Sequence, residues 1–313
     1  MKIVFKYLSA YLKAHFNLKL YAATILFAAA LLIFNFKFDF EDSVIDAYYG
    51  SHLRILWFFL YQGLPYYIVC LFVYFFTPHK DFLKQKGFWL VSGFGFLLLG
   101  FDRGGFYSLI LAQKLAGNSP TYWFILKVLN KWGSFFTIVL PLLLFWLVFQ
   151  RRYIPHFYGI QTHNVNLKPY FVLLGFMVPL IAIASFQPDF LKEYPHYQRA
   201  GGPDFAIFYG ITEYIPIAVY EFSYAFGFFV VELFFRGFLV FGLVKYLGDE
   251  VVLPMAVTYC VLHFGKPIGE AVSSFFGGYV LGIIALRTQN IYGGIMVHIG
   301  IALLMELFAF WQR

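Results

Sequence analysis

Charge is scarce in this chain. Asp, Glu, Lys and Arg make up only 12% of its 313 residues, about half of the quarter that a soluble domain carries. That deficit excludes an ordinary water-soluble globule, because too little polar surface remains to cover one. Cysteine is scarcer still. Cys70 and Cys260 both lie inside apolar runs, which argues against a disulfide framework and against a cysteine-built metal centre. The sequence has no phosphate-cradling glycine loop, no dinucleotide fingerprint and no His-Glu-x-x-His pair, so the chemistries those motifs serve have no footing here. Internal repeats and low-complexity tracts are also missing.

Apolar side chains are abundant: 61% of residues are hydrophobic and 23% aromatic. They come in runs at 20–36, 55–76, 88–101, 138–149, 170–186, 215–247, 251–264, 271–286 and 291–311. Several reach the ~20 residues that a helix needs to cross hydrocarbon. The expected fold is all-α, a polytopic transmembrane helical bundle of about eight or nine spans embedded in a lipid bilayer. The net charge of +7 then reads as membrane topology, with no nucleic acid as partner. Lys2, Lys6, Lys13 and Lys19 precede the first span, whereas Asp39, Glu41, Asp42 and Asp46 follow it. Loops rich in Lys and Arg stay in the cytoplasm, so the N-terminus is expected there. No small-x-small cleavage site clearly follows the first span, which is read as a retained anchor.

The chain changes character near residue 200. Before it, intramembrane charges are few; after it come Glu213, Glu221, Glu232, Arg236, His263, Lys266, Glu270, Arg287, His298 and Glu306. Residues 1–200 are therefore expected to be an N-terminal membrane-spanning scaffold and 201–313 the working region. The polar stretch 187–205 is expected to be a loop between spans, broken by three prolines. Glu306 and Glu213 read as interfacial, and Lys266 with Glu270 as a solvated pair.

The stretch "VVELFFRGFLVFG" (230–242) carries the sharpest signal. An ionisable group near a bilayer centre costs ~2.5–3.5 kcal/mol even on lenient scales. Glu232 and Arg236 sit at i and i+4, one turn apart on one helix face, and can neutralise one another. By itself that is as well explained by a structural ion pair as by a site. His263 and His298, on two further apolar segments, shift the balance. Each alone reads more readily as a hydrogen-bonded core histidine. Together with Glu232 they make a carboxylate and two imidazoles, a set suited to activating water and stabilising an oxyanion. Gly277, Gly278 and Gly282 are expected to let helices approach closely.

Three segments, "VELFFRGFL", "YCVLH" and "SSFFGGYVLGIIALRTQNIYGGIMVHIGI", resemble in order and spacing the CPBP intramembrane proteases. That family includes type II CAAX prenyl endopeptidases and bacterial relatives linked to bacteriocin processing and immunity. The resemblance covers roughly 215–311. The family pattern is Glu-Glu-x-x-x-Arg, then Phe-x-x-x-His, then His-x-x-x-Asn or a small residue. Carried over, it implies Glu232, His263 and His298 as catalytic residues and Arg236 as the supporting ion-pair partner. It implies no cofactor and no metal, and a membrane-associated or prenylated peptide as substrate.

Two positions depart from the pattern. Val231 stands where the first glutamate activates water, and Ala302 where many members carry asparagine to steady the oxyanion. Valine neither accepts a proton nor polarises water. Either Glu232 takes over, another carboxylate supplies the role, or the protein is a non-catalytic descendant that binds a membrane partner. Glu221, eleven residues before Glu232, lies ~16 Å away along a helix, too far to share a water with it. A two-histidine, one-carboxylate metal site and a transporter are weaker alternatives.

Overall fold

The computed structural model describes residues 2–161, 165–266 and 268–312, which are helical with no strand among them. Seven stretches are long and apolar enough to cross a membrane: Leu18–Phe38, Leu53–Phe76, Lys86–Ala116, Tyr122–Gln150, Tyr214–Val261, Ile268–Thr288 and Tyr292–Trp311. The protein is thus an all-α, multi-pass membrane protein. The number of spans falls below the expected eight or nine for two reasons. The run at 170–186 forms the helix Lys168–Ala184, 17 residues long, which is short of the ~20 that a crossing needs. The runs at 215–247 and 251–264 join into one apolar stretch. The acids between them, Asp249 and Glu250, lie in the short turns that connect the two apolar runs, and each is paired. Asp249 meets Arg287 at 2.9 Å and His15 at 3.0 Å, while Glu250 meets His15 and His79, each at 3.4 Å.

That long stretch is not one straight helix. It runs as α-helix over Tyr214–Glu232 and as π-helix over Leu233–Phe241, turns through Val244–Leu247 and Gly248–Val251, and resumes as α-helix over Val252–Val261. Gly248 has φ +63°, a left-handed conformation that side chains with a Cβ disfavour. The π segment is buried throughout. Gly237 lies at its middle, where a Cβ would come within 2.9 Å of the Tyr158 carbonyl. Only a residue without a Cβ lets the Phe157–Gly159 turn lie this close.

The chain divides into two compact units. The first comprises 1–105, 140–165 and 232–291, and the second 106–139, 166–231 and 292–313. In the first, Leu53–Phe76 packs against Lys86–Gly104 and Val252–Val261, and the latter packs in turn against Ile268–Thr288. Gly278 and Gly282 permit that last approach, facing Tyr259 and Met255. Gly277 faces open space, so the small-residue face is narrower than the sequence suggests. A strap closes the unit. The Tyr158 hydroxyl donates to Gln150 Oε1, and Gln150 Nε2 donates to the Gly242 carbonyl at 3.2 Å.

In the second unit, Lys168–Ala184 packs against Tyr292–Trp311 and Tyr107–Ala116 against Tyr122–Ser134. The proline-broken stretch after residue 187 folds into the short helices Pro188–Glu193 and His196–Arg199, followed by Gly202–Tyr209. Tyr197 from this stretch is fully buried in a cluster with Phe124, Tyr220, Tyr224 and Ala302.

Candidate functional site

Glu232 is the last α-helical residue before the π segment, and Arg236 lies within that segment. The change to i→i+5 bonding begins immediately after the carboxylate, a feature common at functional positions in helices. The pair is made: Arg236 Nη1 lies 3.0 Å from Glu232 Oε1, and the two side chains are 1% and 0% exposed. Arg236 Nε and Nη2 meet no hydrogen-bond acceptor among the described residues. What covers the guanidinium is the ring of Tyr259, whose centroid lies 3.9 Å from its central carbon. A desolvated cation–π contact of this kind is worth ~2 kcal/mol. Phe235 packs on the same ring at 5.2 Å.

Tyr259 also leads to the first histidine. It sits in the last turn of Val252–Val261, where backbone carbonyls lack intrahelical partners. His263 Nδ1 lies 2.8 Å from the Tyr259 carbonyl oxygen. A carbonyl can only accept, so Nδ1 carries the hydrogen, and in the neutral ring the lone pair falls on Nε2. The two rings are 4.6 Å apart. Within the first unit, then, a carboxylate, a guanidinium, a phenol and an imidazole of defined tautomer form one continuous set. Glu270 is half-buried in the first turn of Ile268–Thr288.

His298 belongs to the second unit, within Tyr292–Trp311. Its half-buried ring packs on Phe228, with centroids 4.3 Å apart. Ala302, one turn further on, is 4% exposed in the aromatic cluster of that unit.

Glu306 is not a solvated side chain. Its side chain is 2% exposed and accepts from the backbone N–H groups of His196 at 2.8 Å and Tyr197 at 3.4 Å. Those are unsatisfied donors at the start of a short helix, so the carboxylate caps that helix from a distance along the chain. Glu221 stands beside Glu306 in the same unit, with no donor from elsewhere among the described residues.

Tyr259, which stands where the family pattern has phenylalanine, was given no role by the sequence reading. Its position four residues before His263 was the available signal, since that spacing stacks the two on one helix face. Among the described residues, no group of three or more His, Cys, Asp or Glu side chains is arranged to hold a metal ion.

Residues 214–304 match the family model described as type II CAAX prenyl endopeptidase Rce1-like. The matched stretch is under a third of the chain and contains Glu232, Arg236, Tyr259, His263 and His298. That stretch is thus similar to the CAAX-protease family, and it lies within a multi-pass helical membrane fold. Comparison with curated proteins and with solved structures gives no match.

Proposed function

We propose that this protein is an intramembrane endopeptidase, hydrolysing a membrane-associated or prenylated peptide with a water activated by Glu232 and His263. The observation that carries this reading is the contact series from Glu232 through Arg236 and Tyr259 to His263. It ties a catalytic type of carboxylate to an imidazole whose tautomer is set by a backbone carbonyl. In the proposed reaction, water attacks the scissile carbonyl carbon while its proton passes to Glu232. His263 orients the water and donates to the developing oxyanion. The proton then goes to the departing amide nitrogen, giving a new carboxylate and a free amine. Arg236 orients Glu232 throughout. Residues 201–313 form the working region on a scaffold of 1–200, and the lysine-rich N-terminus lies in the cytoplasm.

The test is cleavage of a membrane-anchored peptide by purified, reconstituted protein. Glu232→Gln is expected to abolish turnover, and unchanged turnover would remove Glu232 from the mechanism. Glu270→Gln in parallel is expected to leave turnover intact. Loss in that variant alone would transfer the base role to Glu270.

A second reading is favoured by two positions. Val231 replaces the carboxylate of the family pattern, and Ala302 is packed among aromatic rings where the pattern often has an oxyanion donor. In this reading the chain keeps the fold and binds a membrane peptide without cutting it. It predicts no proteolysis by the unaltered protein, together with recovery of a membrane partner that Arg236→Leu no longer retains.

A further inference from the structure

A cavity of about 460 Å³ opens in the first unit, away from the residues assigned above. Its volume falls within the ~300–1,000 Å³ of small-ligand clefts. Phe94, Phe145, Phe149 and Phe241 supply apolar walls, while Lys245 and Gln289 are among its few polar members. No Asp or Glu lines it.

Two features define what fits. The first is depth. One apolar stretch begins at Lys86 and another ends at Gln150, and the cavity is lined by Gly87 and Gln150. It therefore sits where spans meet the membrane surface. Its walls include Leu90, 70% exposed, and Phe149, 63% exposed, so hydrocarbon reaches it sideways from the bilayer. The second is charge. Lys245 is exposed, and its Nζ rests over the rings of Tyr153 at 4.2 Å and Tyr246 at 5.1 Å. No carboxylate pairs with it among the described residues. The nearby acids Asp249 and Glu250 are held by His15, His79 and Arg287. Lys86, Arg151 and Arg152 flank lining residues in the chain and are all exposed. An apolar slot open to lipid, with uncompensated cations at headgroup level, complements one kind of molecule in a bilayer.

We infer that this cavity is a binding site for an anionic phospholipid, with one acyl chain between the phenylalanine walls and its phosphate on Lys245. The aromatic rings under the ammonium fix its position, and interfacial tyrosines suit the headgroup boundary. Basic pockets between membrane helices recognise anionic headgroups in this way. The site is separate from the proposed catalytic set and does not depend on it.

The full chain, purified in detergent, is analysed by native mass spectrometry with phosphatidylglycerol, phosphatidylcholine or glycerol phosphate. One phosphatidylglycerol is expected to be retained in preference to phosphatidylcholine, with no retention of glycerol phosphate. Lys245→Gln is expected to weaken phosphatidylglycerol retention about fivefold, and Lys245→Arg to preserve it. Leu90→Trp, which fills the lateral opening, is expected to reduce retention of both lipids. Equal retention of the two lipids by the unaltered chain would overturn the assignment. So would a Lys245→Gln variant with an unchanged preference, or a Leu90→Trp variant that holds lipid as before. Retention of glycerol phosphate would replace the lipid with a free phosphate ester.

Discussion

The two units solve one problem in different ways. Each buries a carboxylate in apolar surroundings, where an uncompensated charge is not tolerated. The first unit answers with nitrogen-bearing side chains. Glu232 faces the Arg236 guanidinium, and Glu250 faces two histidine rings. The second unit answers with backbone: Glu306 receives the N–H groups of His196 and Tyr197. A cation brings its own desolvation cost and must itself be covered, which the Tyr259 ring does for Arg236. Backbone donors bring no such cost, because they are unsatisfied at a helix start in any case. The first arrangement leaves polar atoms disposed for chemistry, whereas the second mainly joins two helices.

The contrast can be broken most sharply at Arg236. Arg236→Leu leaves Glu232 buried without its cation, which costs about 3–5 kcal/mol, and the melting temperature of the purified protein should fall accordingly. Adding Glu232→Leu should recover most of the loss, since an apolar pair of similar size in place of a buried ion pair is often neutral. If the double variant is no better than the single, the pair does more than neutralise. The Tyr259 contact comes next. Tyr259→Leu should cost about 2 kcal/mol of stability through the lost cation–π contact, and Tyr259→Phe much less. Equal losses would mean that the hydroxyl, not the ring face, carries the interaction.

The second unit should respond more mildly. Glu306→Leu strands two N–H groups, at about 1–3 kcal/mol, whereas Glu306→Gln keeps an acceptor and should melt near the unaltered protein. Smallest of all is Glu221→Gln, which exchanges a carboxyl for an amide of the same size beside Glu306 and should leave the midpoint unchanged or slightly raised. A clear drop would show that Glu221 holds a favourable contact of its own.

These differences track what was legible in the amino-acid order. The helical membrane fold follows from run length, and the Glu232–Arg236 pairing from four-residue spacing. Both are local properties. The pairing of Asp249 and Glu250 was not legible, because their partners His15, His79 and Arg287 lie far away in the chain. The capping role of Glu306 was not legible because its partners are main-chain N–H groups, which every residue but proline carries and no sequence pattern marks. The π segment was invisible for a related reason. With nearly every position from Leu233 to Phe241 apolar, hydrophobic periodicity cannot separate one winding from another.

That winding also bears on how the gene can vary. A helix bonded i→i+5 carries surplus backbone relative to ordinary winding, so a single-codon deletion between Leu233 and Phe241 could be absorbed by tightening the coil rather than by dragging the following turn out of place. The same deletion in a regularly wound span has no such reserve. The segment is thus a length buffer that carries the buried Arg236, and tightening it would turn Arg236 away from Tyr259.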